Sequence, residues 1–316
     1  MKKQKAISGT GGPVKKISLG EEIRKKWFFY LIPIPGIICL LLFSYMPMAG
    51  LYVVFERYTY QGGLFGSEFV GLQNFKFFFM NMSNALRATK NTLVINGFSI
   101  VLGVVVNVGL AILINEINSK VFKKVTQTVM LFPYFISWII VGMVALALFD
   151  EDTGMINSML VHFGGEAVEW YSNADYWWAI MIFTTVWKGA GYGSIIYYCA
   201  LSGFDQSLYE AAEIDGANAM QSFRHITIPL ISPTLFFVVM MRAMSALKQF
   251  DTVYLLIKSS NPAYNRGMTL MTWFYREAFE KFDKGFGSVI VLYSFIIISI
   301  FTMIQFLAEK KLVHYE

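Results

Sequence analysis

Charge is scarce in this 316-residue chain: 15% of its residues are Asp, Glu, Lys or Arg, against about 25% in an ordinary soluble domain. Hydrophobic residues make up 56%, so a single water-soluble core would leave too little polar residue to cover its own surface. The same composition excludes a disordered chain. Cysteine is nearly absent. Cys39 and Cys199 both fall inside apolar runs, which excludes a disulfide scaffold and reads as free buried thiols. The three histidines, His162, His225 and His314, stand far apart with no second ligand at metal spacing. No glycine is followed by lysine, so no P-loop is available to cradle a nucleotide, and neither G-x-S-x-G nor H-E-x-x-H occurs. No catalytic residue, metal site or cofactor of its own is therefore expected. Work against a gradient would draw on another chain or on an ion.

Long apolar runs are what the chain has instead. They cover Trp27 to about Phe55 (with Pro33, Pro35 and Pro47 inside), then approximately Thr92–Ile114, Val129–Phe149, Trp177–Leu201, Leu230–Ile257 and Gly285–Leu307. Each reaches the ~20 residues that carry a helix across the hydrocarbon. Lipid offers backbone groups no partner, so a span of this length is a helix, and the alternating short strands of a membrane barrel would give no such runs. The expected fold class is all-α and polytopic: a basic tail over 1–26, six transmembrane helices within 27–312, and a short tail over 313–316.

Lys and Arg set the expected orientation. Eight of them fall in the first 26 residues, and Lys120, Lys123 and Lys124 follow the second span. The connection after the third span holds Asp150, Glu151, Asp152, Glu166, Glu169 and Asp175 with no Lys or Arg. Both termini are thus expected in the cytoplasm of a bacterial cell and the acidic connection outside. The net charge of +5 is read as orientation, not as nucleic-acid binding. The basic lead and first run are too long for a cleaved secretory signal, so an uncleaved span is expected there.

One loop departs from the charge rule. Between spans four and five, residues 202–229 should be cytoplasmic, yet Arg224 alone stands against Asp205, Glu210, Glu213 and Asp215. The loop reads Leu208-Tyr209-Glu210-Ala211-Ala212-Glu213-Ile214-Asp215-Gly216-Ala217, then Phe223, Ile226, Pro229 and Pro233. Ala and Glu alone would mean only a good helix former. The whole string, Glu-Ala-Ala, three residues, Gly, nine residues, Ile-x-Ile-Pro, resembles the coupling loop of the membrane subunits of ATP-binding-cassette importers, with Ile228 where Leu is usual. Val70-Gly71-Leu72-Gln73-Asn74-Phe75, Asn115-Glu116-Ile117, Phe135-Ile136-Ser137-Trp138, Gly154-Met155-Ile156-Asn157 and Trp187-Lys188-Gly189 extend the similarity to the multi-sugar and polysaccharide, maltose-permease-like branch. The chain departs from that branch at Ser259-Ser260-Asn261-Pro262, where Gly-Gly-Pro is common.

The resemblance implies a type I importer permease. It would pair with a second, homologous permease and sit on two ATPase subunits that bind ATP and Mg. An extracellular substrate-binding lipoprotein would deliver an oligosaccharide. Glu210, Ala211, Ala212, Asp215, Gly216, Ala217, Ile226 and Pro229 would form the ATPase-coupling surface, Gly216 giving a sharp turn where a Cβ would clash; Glu213 reads as a solvated face. Trp187, Lys188, Gly189, Tyr192, Ser245, Lys248 and Gln249 align with the sugar path. Charges at membrane depth are costly, which singles out Lys188, Arg242 and Lys248. Lys248 could instead pair with Asp251 at i,i+3, the aromatics could form an interfacial belt, and Arg242 reads as a structural pair or a lower gate. A permease for another solute, or an ion-driven carrier, are the alternatives.

Overall fold

The computed structural model describes residues 19–246, 250–257 and 264–312. Lys248, Gln249, the 259–262 stretch, the basic residues before Leu19 and the final four positions lie outside the described residues. The chain divides between Tyr52 and Val53 into two units.

In the first unit, α1 (Leu19–Leu31) is kinked at Lys26. Pro33, which has no N–H to continue a helical ladder, precedes α2 (Ile34–Leu40). The expected run from Trp27 is therefore broken. A π turn and a 3₁₀ stretch prolong α2, giving a 22-residue apolar helical run, Ile34–Phe55. Its apolar side chains are exposed from Ile34 to Met48, as suits a lipid-facing segment, and Val53 and Val54 at its end are buried.

The second unit opens with a two-residue antiparallel ladder, β1 (Glu56–Arg57) with β2 (Glu68–Phe69), around α3 (Gly63–Gly66). Helices α4 (Gln73–Met80) and α5 (Met82–Glu116) follow. Thr92, Asn96, Ser99, Gly103 and Asn107 are buried and recur at three- and four-residue spacing, forming one face of α5. Small and polar residues on such a face let two membrane helices approach closely. Gly193, on α9 (Trp177–Leu201), meets that face: a Cβ there would lie 2.1 Å from the Asn107 amide. Gly191 does the same for α6 (Lys120–Phe135), where a Cβ would fall 1.8 Å from the Met130 carbonyl.

The expected third span is not one helix. Helix α6 and α7 (Trp138–Phe149) meet at 94°. Pro133 removes one ladder donor, Ile136 and Ser137 are extended, and the Ser137 hydroxyl caps α7 by accepting from the Ile140 N–H. After α7, α8 (Met155–His162) is tied to the rest of its connection by buried Asn157, whose amide bonds Glu151, Val168 and Trp170. Beyond α9 come α10 (Ser207–Ile214), α11 (Ala219–Ser222), α12 (Ile228–Ala246), α13 (Asp251–Leu256), α14 (Tyr264–Gly267), α15 (Leu270–Tyr275) and α16 (Lys284–Leu312). Helical structure runs unbroken from Ala219 to Ala246, so the fifth span starts earlier than expected and α13 is separate from it. A π turn at Phe223–Thr227, closed by the Ile228 N–H on Phe223 O, stands just before Pro229, which has no N–H to donate.

Four described helical runs are long and apolar enough to cross a membrane, or five with the bent α6–α7 pair. Helix α9 has the length, 25 residues, but carries Lys188 and several glycines and tyrosines. The main core gathers Trp177, Met181, Ile95, Leu270, Trp273 and Ile290. A smaller one joins α5, α9 and α12 through Val108, Ala111, Tyr197, Ile231 and Val238. Cys39 and Cys199 are free but exposed, contrary to the expected burial, because both lie on outward faces of their helices.

Candidate functional site

The loop between α9 and α12 holds its shape with its own residues. The Asp205 carboxylate accepts from the Ser207 N–H at the start of α10, 3.0 Å away. Backbone and side-chain hydrogen bonds from Ser207 hold that carboxyl below its ordinary range. Helix α10 ends in a paired C-terminal motif: Ala217 N–H donates to Ala212 O (2.9 Å) and Gly216 N–H to Glu213 O (3.0 Å), which satisfies two orphan carbonyls. Gly216 has φ +78°, and no atom would lie within 4 Å of a Cβ there. Its necessity is thus the left-handed backbone, not the clash expected from sequence. Asn218 and Gln221 then form a reciprocal capping box for α11, at 2.8 and 2.9 Å. Tyr209 hydroxyl and buried Thr227 lie 3.0 Å apart and tie α10 to the foot of α12.

Of the expected coupling residues, Ala212, Asp215, Gly216, Ala217 and Ile226 line one hollow of about 330 Å³ with Gln221, Ser222 and His225. Glu210, Ala211 and Pro229 are exposed outside it. Glu210 stands in the first turn of α10, where a negative charge suits the helix dipole. The sequence reading missed Leu208, Ile214 and Met220, all exposed, Ile214 to 86%. Their signal was available: large apolar residues in an otherwise polar loop.

The expected sugar-path residues divide. Lys188 is 9% exposed. Its ammonium donates to the carbonyls of Pro133 (3.1 Å), Tyr134 (2.9 Å) and Ile136, and lies 5.4 Å from the Trp138 ring. All three donors are spent on the C-terminal end of α6, so Lys188 offers none to a solute. Tyr192 stacks on Tyr134 at 4.5 Å and joins the same fastening of α9 to α6. Trp187 is partly exposed on α9.

A cavity of about 350 Å³ is lined by Asn96, Ser99, Trp138, Arg242, Ser245 and Asp251, among others. Lys188 meets it only through Trp138. Gly189 supports it from α9: a Cβ there would lie 3.1 Å from both terminal nitrogens of Arg242. Arg242, expected as a structural pair or gate, forms no ion pair or hydrogen bond among the described residues. Asn96, Ser99 and Trp138 were missed. The helical recurrence of polar residues on α5 was their signal.

Residues 99–314 match the family described as binding-protein-dependent transport system inner membrane component. The polygalacturonan/rhamnogalacturonan transport system permease protein YteP of Bacillus subtilis (strain 168) is 34% identical over 84% of this chain and 85% of its own. A solved bacterial ABC transporter involved in import of the acidic polysaccharide alginate has a chain 28% identical, with TM-score 0.84 over 94% of this chain and 99% of that one. A bacterial alginate ABC transporter solved in complex with its alginate pentasaccharide-bound periplasmic protein aligns at TM-score 0.83 and 28% identity, over 93% and 97%. The chain, an all-α membrane transport subunit of the type I importer fold, belongs to the family of inner membrane components of binding-protein-dependent transport systems.

Proposed function

We propose that this chain is one of two homologous permeases in an ATP-driven importer of oligosaccharides, with residues 202–229 transmitting movement of the ATPase to the translocation path. Two ATPase subunits, carrying ATP and Mg, would dock on the cytoplasmic side, and a binding lipoprotein would deliver the sugar from outside. Both termini would be cytoplasmic. The relatives' names, which refer to alginate and to polygalacturonan and rhamnogalacturonan, support a saccharide cargo.

The observation that carries the reading is the loop's construction. Helix α10, closed at both ends by local residues, presents Leu208, Ala211 and Ile214 outward, and α11 presents Met220. A segment that satisfies its own backbone yet exposes apolar side chains can seat in a groove of a partner. Movement of that partner biases a two-state element: the loop shifts as a body, and α12, continuous with α11 through the π turn, carries the shift into the membrane.

The experiment reconstitutes the complete transporter in liposomes. Glu210→Lys and Gly216→Pro are expected to abolish uptake while the permease stays inserted. Normal assembly with normal sugar-stimulated ATP hydrolysis in both variants would overturn the proposal.

A further inference from the structure

Resting on that importer reading, we propose that Arg242 is the specificity-determining residue of the cavity between α5, α7, α9 and α12, and that it selects oligosaccharides bearing carboxylates by seating a uronate carboxylate on its guanidinium.

Three cations were expected at membrane depth, and the structure separates the two that it describes. Lys188 is closed off by three carbonyls and has no donor left for a solute. Arg242 is half-buried, lines the cavity, and has neither an ion pair nor a hydrogen bond among the described residues. Asp251 lines the same cavity without pairing to it, and is the more exposed of the two. The charge that lacks compensation is therefore the positive one. A planar guanidinium presents two parallel N–H donors to a carboxylate, a geometry that a hydroxyl cannot fill.

The surroundings suit a sugar bearing that carboxylate. Ser99, 8% exposed, is part of the cavity lining, and its hydroxyl oxygen is buried without a hydrogen-bond partner. Asn96 donates one amide proton to its own helix, at Thr92 O, and its carbonyl oxygen can accept from a sugar hydroxyl. Trp138 and Phe250 add aromatic rings to the lining, and the C–H face of a pyranose packs on rings of this kind. Gly189 is the positioning residue: without a Cβ on α9, the guanidinium nitrogens come to within 3.1 Å of where one would stand.

The test uses the complete transporter, with its partner permease, ATPase and binding protein, in liposomes. Uptake of trigalacturonate is compared with that of its fully methyl-esterified, neutral form. Wild type is expected to carry the acidic trimer. Arg242→Gln should lower acidic uptake at least tenfold more than neutral uptake, in line with the loss of a hydrogen bond to a charged group. Arg242→Lys should restore part of the acidic uptake, and Gly189→Ala should impose a smaller loss of the same selectivity. Equal slowing of both trimers, transport of the neutral trimer alone by wild type, or disassembly of the complex in Arg242→Gln (a sign that Arg242 pairs with another subunit) would overturn the inference and leave the importer reading standing. Failure of wild type to carry either trimer or any other oligosaccharide would overturn both.

Discussion

Two of the breaks between described helices are closed by opposite means. Between α10 and α11 the residues at the break do the work themselves. Gly216 takes the left-handed turn, Ala217 and Gly216 return hydrogen bonds to α10, and Asn218 and Gln221 cap α11. Between α6 and α7 the break frees carbonyls in a part of the chain bounded by apolar helix, where water is not at hand to satisfy them. Those of Pro133, Tyr134 and Ile136 are met by Lys188, more than fifty positions away on α9. In water a turn can be finished with nearby small polar residues. In lipid the donor must come from another helix, and a cation is the side chain with enough donors to serve three carbonyls at once.

That contrast can be broken most severely at Lys188. Lys188→Met takes the ammonium from the Tyr134 and Ile136 carbonyls and leaves the Pro133 carbonyl with the Ile136 N–H alone, at a cost of about 2 kcal/mol or more, and should lower the yield of monodisperse protein and its melting temperature in detergent more than any single loop substitution. Size-exclusion profiles and thermal melts check this. Lys188→Gln, with two donors, should fall between.

The loop's break is expected to be less costly. Gly216→Val forces a Cβ into φ +78°, a strain of about 1–2 kcal/mol, confined to an exposed turn. Insertion and melting temperature should stay near wild type, while sugar-stimulated ATP hydrolysis falls. Gly216→Asn should recover part of it, since Asn tolerates that backbone. Asn218→Ala removes the capping box at about 1 kcal/mol. The expected sign is faster amide hydrogen exchange over 219–222, with uptake only modestly reduced.

The smallest effect is a dependence on pH. The Asp205 carboxyl is held below its ordinary value by Ser207, so its contribution is fully present above the unfolded value and is lost as pH falls through the folded one. Protection of the Ser207 amide, its exchange rate relative to the intrinsic rate at the same pH, should be high at pH 6 and fall as pH drops below the ordinary Asp value of about 3.9. Asp205→Asn should remove that pH dependence.

The same contrast sets what could be read from the sequence. Helix α9 begins and ends with its run, Trp177–Leu201. The loop's turn was legible because its cap and its glycine are adjacent in the chain, although the reason for Gly216 was not: a left-handed φ and a steric clash call for the same residue. The bend at Ile136–Ser137 was hidden inside one apolar run, where Pro133 alone does not distinguish a kink from a full break. The fate of Lys188 was hidden for the same reason. Nothing local to Trp187-Lys188-Gly189 says that its partners are backbone carbonyls on α6, and a lysine among aromatic residues reads equally well as a sugar contact. That Arg242 has no ion-pair partner among the described residues was hidden too, since it is a property of the assembled helices.

The most direct measurement is a distance across the α6–α7 bend. Val129 and Met143 are both exposed and flank it. Spin labels at these two positions, in a background with Cys39 and Cys199 replaced by Ser, would report the bend by pulsed electron paramagnetic resonance in the assembled transporter. A narrow distance distribution consistent with the 94° angle in the Lys188 protein, and a longer or broader one in Lys188→Gln, is the expected result. Identical distributions in the two proteins would mean that the bend stands without Lys188 and would contradict the account.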